Sequence, residues 1–281
     1  MPALGQHQSS DIVKLLFIGN SGAGKTGALA SLASAGYNLR ILDMDNGLDV
    51  LANVLNDPKS PYTKGAATRV HFRTLTEKMK NVNGKVLPAS ATAWPQAIGM
   101  LSDWKDPPGT EGAVALGPVS SWGPNDILVI DSLSMLSTAA MNFCLSLNAR
   151  LGQRPHQSDW GEAQGLVEGL LQMLYSDSIK CHVIILCHVK FIGEEGGPQV
   201  GYPNTLGQAL PPKVGTYFNN ALMAQTRGTG ASQKRVILTN TTGIVELKNS
   251  APLRVAREYP LETGLGDYFK ALLGKEPKTG A

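Results

Sequence analysis

One octapeptide limits what this 281-residue chain can fold into more than any other feature. Gly19-Asn20-Ser21-Gly22-Ala23-Gly24-Lys25-Thr26 stands between an apolar run, "DIVKLLFI", and an Ala/Leu-rich run, "GALASLASAG", that opens at Gly27 and closes at Gly36. The spacing is Gly-x4-Gly-Lys-Thr. Glycines let the backbone curl until successive N–H groups point inward at phosphate oxygens, and a following helix adds its positive N-terminus. In such a loop the lysine, Lys25, reaches the terminal phosphates, and the threonine hydroxyl, Thr26, ligates Mg²⁺. By average residue usage a chance match in a chain of this length is on the order of one in a hundred. The strand–loop–helix context makes Gly19 through Gly27 the expected phosphate-binding segment.

A magnesium site needs a second anchor. "ILVID" supplies it: four apolar residues and then Asp131, at the C-terminal tip of an expected buried strand, where parallel sheets hold their ligands. Thr26 and Asp131 are therefore the expected metal residues, with ATP and Mg²⁺ as cofactors.

Short apolar strands alternate with helical patterns through the first two thirds of the chain. "LRILDMDNG" and "TRVHFRTL" read as strands, and "AWPQAIGMLSDW" as a helix. "DILVIDSLSMLSTAAMNFCLSL" reads as a strand entering a helix. "SDWGEAQGLVEGLLQMLYSD" is a further helix, capped by Ser158 or Asp159, and "HVIILCHVKFIG" a buried strand. This alternation calls for a largely parallel sheet covered on both faces. "YFNNALMAQTRG", "SQKRVILTNTTG" and "IVELKNS" are expected to extend it as antiparallel strands, and "GDYFKALLG" to close the chain as a helix. The Pro/Gly/Ser-rich segment 105–124 reads as a surface loop, and 56–92 is poorly patterned. No linker or internal repeat divides the chain. The expected organisation is a flexible N-terminus over 1–10 and one α/β domain over 11–281.

Composition excludes several classes. No apolar run approaches the roughly 20 residues of a membrane span, and "MPALGQHQSSDIVK" lacks a basic region followed by an apolar stretch, so no secretory leader is expected. Three cysteines, Cys144, Cys181 and Cys187, show neither metal-ligand spacing nor a disulfide framework, which fits a reducing, cytoplasmic setting. The net charge of +3 is too small to announce a nucleic-acid partner, though its distribution leans. Residues 1–189 carry 14 basic and 15 acidic groups, and residues 190–281 carry 11 and 7.

Two further segments resemble a known family. "IDSLSML", after the Asp131 strand, resembles the corresponding stretch of recombinases of the RecA type, and "ILDMDNG" resembles their second strand, which ends Asp-x-Glu. The resemblance places Asp45 at the catalytic glutamate that faces the attacking water, one methylene shorter, with Asp43 two residues before it. It also places His188, in "VIILCHVK", at the strand end where the family carries a polar γ-phosphate sensor, commonly glutamine. A mobile DNA-binding loop follows that sensor, which makes residues 191–213 the candidate loop. Within and beside it Lys190 and Lys213 would meet phosphates, and Phe191 or Tyr202 would stack on bases. Overall the chain is most similar to short, phage-encoded RecA-like P-loop ATPases of the single-strand annealing protein family. That likeness implies an oligomeric ATPase, ring or filament, that binds single-stranded DNA and promotes annealing and homologous recombination, often beside a single-strand-binding protein. For a phage-encoded chain the setting is the host cytoplasm. A neighbouring subunit would supply a cation to the phosphates, for which Arg227 and Lys248 are the candidates.

Competing readings share the same loop. A small-molecule kinase generally carries an arginine-bearing lid, and 191–213 contains no arginine. A processive ring helicase needs an N-terminal collar, and about ten residues precede the first strand. A non-catalytic scaffold assembled by ATP is favoured by the shortened acid at Asp45.

Overall fold

The structure, a computed structural model, describes residues 11–110, 112–193, 197 and 199–274. The expected flexible N-terminus over 1–10, and Glu194, Glu195 and Gly196 of the candidate loop, lie outside the described residues.

The chain enters β1 (Lys14–Gly19) and passes through the glycine loop into α1 (Lys25–Ala28) and α2 (Ala30–Ser34), one helical run interrupted at Leu29. β2 (Asn38–Asp43), α3 (Asp49–Asn56) and β3 (Val70–Thr74) follow, then a hairpin of β4 (Met79–Val82) and β5 (Lys85–Pro88). α4 (Ala93–Ser102) leads to the short pair β6 (Trp104–Lys105) and β7 (Ala115–Gly117). Next come β8 (Asp126–Asp131), α5 (Leu133–Leu147), α6 (Gln157–Tyr175) and β9 (His182–Ile192). β10 (Val200–Pro203), α7 (Pro211–Val214), β11 (Asn220–Arg227), β12 (Lys234–Leu238), β13 (Glu258–Pro260) and α8 (Leu261–Leu273) complete it.

The main sheet runs β3-β2-β8-β9-β1-β11-β12-β13, parallel from β3 to β11 and antiparallel at β12 and β13. Central strands are apolar almost throughout because both faces are covered. Side chains alternate between the faces with the strand period. Leu16, Ile18, Leu128, Ile130 and Ile185 join the core under α4, α5 and α6. Leu15, Phe17, Ile127, Val129 and Ile184 join the other, under α1 to α3 and α8. Each such burial stabilises by roughly 1.5–3 kcal/mol. Helix spacing matches: Leu133, Leu136, Ala140 and Cys144 line the inner face of α5, and Leu261, Leu265, Tyr268 and Leu272 that of α8. α8 lies against α2 at close range. Gly266 N–H donates to Ser31 Oγ at 3.0 Å, and a Cβ at Gly266 would stand 3.1 Å from Ser31 O.

Several sequence expectations need correction. β11 was expected to be antiparallel, yet it lies parallel to β1, because the chain crosses over through α7 before re-entering the sheet. β9 does not give way to an irregular run after His188. It continues to Ile192 and pairs with β10, Lys190 opposite Tyr202 and Phe191 opposite Gly201, so residues 191–192 and 200–203 of the expected loop lie in paired strands. "IVELKNS" forms no strand. Its backbone is split between two neighbours, Val245 bridging Gly201 and Lys248 bridging Ala221, and neither pairing propagates. His156, not Ser158 or Asp159, caps α6, and Asp159 closes the turn by accepting the His156 N–H at 2.7 Å. The last helix starts at Leu261, directly after Pro260. Segment 105–124, expected as loop, contributes β7 and a 3₁₀ turn. Among the described residues no helix is long and apolar enough to cross a membrane.

Candidate nucleotide site

β1 delivers Gly19 to the C-terminal edge of the sheet in register with His188 of β9 on one side and Ala224 of β11 on the other. A Cβ at Gly19 would stand 2.7 Å from Ala224 O, so only glycine allows the two backbones to pass. Ala23 N–H closes a turn onto Asn20 O at 3.2 Å, and Gly24, at φ +94°, turns the chain into α1. Lys25 is 6% exposed. Its Nζ donates to Gly19 O at 2.9 Å and Asn20 O at 3.0 Å, folding back over the loop that its own helix follows. Burial lowers the lysine's pKa, opposed mainly by the nearby Asp131 carboxylate.

The metal pair is already assembled. Thr26 Oγ1 donates to Asp131 Oδ2 at 2.7 Å. Asp131 is held at the tip of β8 in register with Asp43 of β2. Burial pushes its carboxyl up to about 6, aided by Asp45 and Asp43 and opposed by the Thr26 hydrogen bond and Lys25. A hydroxyl and a carboxylate are hard oxygen donors, and Mg²⁺ is ordinarily held by one or two carboxylates together with phosphate oxygens and waters. The residues present fit that ion: Thr26 would ligate it and Asp131 would hold it through water.

The three remaining sequence candidates meet beside this pair. Lys25 Nζ lies 3.4 Å from His188 Nδ1, and His188 Nε2 lies 3.4 Å from Asp45 Oδ2. Asp45 Oδ1 accepts from both the backbone N–H and the hydroxyl of Ser132, at 3.1 and 2.8 Å. Burial would raise the Asp45 pKa, but the hydrogen bonds from His188 and Ser132 outweigh it and the net shift is downward. With Lys25 as the ammonium, which can only donate, a neutral His188 would accept at Nδ1 and direct its Nε2 proton at Asp45. The line Lys25–His188–Asp45–Ser132 thus joins the start of α1, β9 and the turns that leave β2 and β8. Ser134 fixes its middle, accepting the His188 N–H at 3.1 Å.

Asp43 faces elsewhere. It accepts from Thr74 Oγ1 at 2.8 Å and Gly47 N–H at 3.2 Å, which makes it the brace of the β2 turn. The expected DNA contacts do not form one patch. Lys190 and Phe191 on β9 and Tyr202 on β10 share the hairpin, with Phe191 43% exposed and Lys190 Nζ 3.4 Å from Gly207 O. Lys213, in α7, instead pairs with Glu168 of α6 at 3.0 Å. Arg227 ends β11 in an exposed ion pair with Glu258 at 2.6 Å. Lys248 is not at a strand end: it bridges Ala221, three positions below Ala224, the residue level with Gly19. Ser132, Ser134 and Thr74 were missed by sequence reasoning. The first two stand in "IDSLS", but a serine there reads as a helix cap unless the neighbouring strand tips are known.

No family model matches the chain, and no curated protein matches it. Three solved structures are similar in fold at 12% identity. A KaiC-like protein from Pyrococcus horikoshii has TM-score 0.42, with 88% of this chain and 84% of that one covered. The flagellar accessory protein FlaH from Methanocaldococcus jannaschii has TM-score 0.41, with 90% and 87% covered. An ATPase of a bacterial type III secretion system has TM-score 0.40, with 79% and 56% covered. What this site can do follows from its own atoms.

Proposed function

We propose that the chain is a Mg²⁺-dependent, RecA-like ATPase that binds single-stranded DNA and promotes strand annealing and homologous recombination as an oligomer, alongside a single-strand-binding protein. One observation carries the reading: a continuous contact line from the phosphate loop through His188 into the β9–β10 hairpin. Lys25 exchanges the Gly19 and Asn20 carbonyls for anionic phosphate oxygens, a stronger charge-assisted bond. That movement takes the ammonium away from His188 Nδ1 and leaves the ring free to turn toward the terminal phosphate. Asp45, ionised and held by Ser132, accepts a hydrogen bond from water at the same face. When bound, Mg²⁺ supplies positive charge against the phosphate oxygens. Four residues beyond His188 lie in the hairpin, which presents Phe191 and Tyr202 for stacking on unpaired bases. In an oligomer Arg227 or Lys248 of a neighbour is the candidate cation, and Arg227 would first have to leave Glu258.

A second reading is favoured by a specific feature. Both Asp45 oxygens are already engaged, on an acid one methylene shorter than glutamate, which suits a scaffold assembled by ATP without rapid hydrolysis. ATP turnover with and without a long unstructured DNA strand, beside Lys25→Ala, separates the two. Turnover stimulated by DNA and lost in the variant is the expected result. Negligible turnover with DNA still bound selects the scaffold. If DNA neither binds nor stimulates, the DNA reading fails and the phosphate site alone remains.

A further inference from the structure

Segment 58–102 is unevenly charged. Of the chain's 25 basic and 22 acidic residues, seven basic but a single acidic one, Glu77, fall in it, which leaves the rest of the chain with 18 and 21. Glu77 is engaged at the foot of the β4–β5 hairpin, where it accepts the Thr92 N–H at 2.9 Å and the Ala93 N–H at 3.2 Å. Lys80 and Lys85 lie in the hairpin itself. Lys78 stands just before it, and its carbonyl accepts the Ala89 N–H at 2.7 Å, which extends the pairing. All three lysines are exposed, and none makes an ion pair among the described residues.

The hairpin has a defined shape with two unlike faces. Asn83 and Gly84 take φ of +52° and +80°, the left-handed pair of a tight two-residue turn, and the Gly84 N–H donates to Asn81 Oδ1 at 2.9 Å. Met79 stands opposite Pro88, Lys80 opposite Leu87, Asn81 opposite Val86 and Val82 opposite Lys85. Cross-strand partners share a face, and neighbours along a strand alternate. Lys78, Lys80 and Lys85 therefore lie on one face, and Met79, Asn81 and Val86 on the other. Met79 is 55% and Val86 66% exposed, so neither adds to the two cores. Leu87 anchors the stem against the α5–α6 turn, where a Cβ at Gly152 would stand 3.4 Å from it. Two strands alone are marginally stable in water, and this pair leaves its apolar face uncovered.

β3 delivers this hairpin to the sheet edge that carries the phosphate loop: Thr74 is level with Asp43, and Asp43 with Asp131. The β9–β10 hairpin leaves the same edge three strand spacings away, or about 14 Å. That span is about four nucleotides at the B-form rise. We propose that the β4–β5 hairpin is a second, separate contact for single-stranded DNA, with its lysine face on the phosphates and its Met79–Val86 face against unpaired bases. The inference rests on the DNA reading above, but it uses none of the residues that carry that reading. An unpaired strand offers both chemistries at once: phosphates for the ammonium groups, and base faces that a thioether and a branched alkyl chain contact favourably.

The test is fluorescence anisotropy of a labelled oligothymidylate titrated with the intact protein in Mg²⁺-ATP, over a series of salt concentrations. Lys78→Gln/Lys80→Gln/Lys85→Gln is compared with wild type and with the control Lys59→Gln/Lys64→Gln/Lys180→Gln. The control removes the same charge from exposed lysines that precede β3 and β9, at the opposite edge of the sheet. Each phosphate contact on a single strand contributes about 0.7 to the slope of log K against log salt. The hairpin variant should therefore lose about 2 in slope, and the control almost none. Met79→Ser/Val86→Ser should weaken binding by about 2- to 10-fold at an unchanged slope. An unaltered slope in the hairpin variant, or an equal loss in the control, would overturn the proposal and leave the DNA reading standing. Wild-type affinity in the Met79/Val86 variant would overturn the base contact. Wild-type protein that binds no DNA removes the DNA reading itself.

Discussion

Ser132→Ala is the perturbation that most directly probes the site. Ser132 is fully buried, and its hydroxyl donates to Asp45 Oδ1 at 2.8 Å while its backbone N–H donates to the same oxygen at 3.1 Å. Alanine removes only the first bond and leaves no clash. A hydrogen bond to a charged acceptor contributes about 1.5–3 kcal/mol. Where that orientation is needed in the transition state, kcat falls roughly 10- to 150-fold. KM for ATP stays near its wild-type value, because the phosphates are held by the loop and Lys25, which Ser132 does not touch. The pH profile adds a second readout. Burial raises the Asp45 pKa, and the bonds from His188 and Ser132 bring it below the ordinary value. Losing one of them lets burial count for more, so the carboxyl pKa rises and the acid limb of kcat moves to higher pH. Steady-state turnover from about pH 3 to 8 measures both effects. An unchanged kcat with a raised KM would refute the assignment of Ser132 as the residue that positions Asp45. A lowered kcat with an unmoved acid limb would refute the electrostatic link.

Two further substitutions probe the frame around the site. Gly24→Ala forces a side chain into a left-handed φ of +94° and against Leu261. The backbone term alone is about 1–2 kcal/mol, and nucleotide affinity should fall with it. Measured against Leu261→Ala alone, which carries its own core-packing loss, the double variant should keep the backbone cost without the collision, and equal urea midpoints for the two would show the conformational part to be wrong. Asp159→Asn tests the α6 entry. The Arg150 hydrogen bond, chiefly, holds the Asp159 carboxyl below its usual range, helped by the His156 N–H and Asn148 and opposed by burial. A depressed carboxylate stabilises the fold above its unfolded value of about 3.9 and ceases to as pH falls through the folded one. The urea midpoint of the variant should therefore lie below wild type at pH 7, with the gap closing below about pH 4. A gap independent of pH would exclude an electrostatic origin.

The sequence by itself determined the phosphate loop, the strand that carries Asp131, and the α/β alternation, because each is written locally. Glycine spacing, an apolar run of strand length and helical periodicity are properties of neighbouring residues. It also set Asp45 and His188 apart, through a resemblance to strand ends in a known family. What it left open was long-range pairing. "YFNNALMAQTRG" looks the same whether it joins β1 parallel or antiparallel, and only the α7 crossover decided the direction. The hairpin after His188 was hidden for a related reason. β10 is only four residues long, and the missing side chain at Gly201 is what lets Val245, 44 residues away in sequence, approach it closely. Tertiary structure likewise made Ser132, the residue that enters α5, the partner of an acid 87 residues earlier. It also brought β12 and α8 against the loop, leaving Arg235 beside Gly24. A parallel sheet gathers strand tips from distant parts of the chain onto one edge, and the chemistry at that edge exists only once the strands are in register.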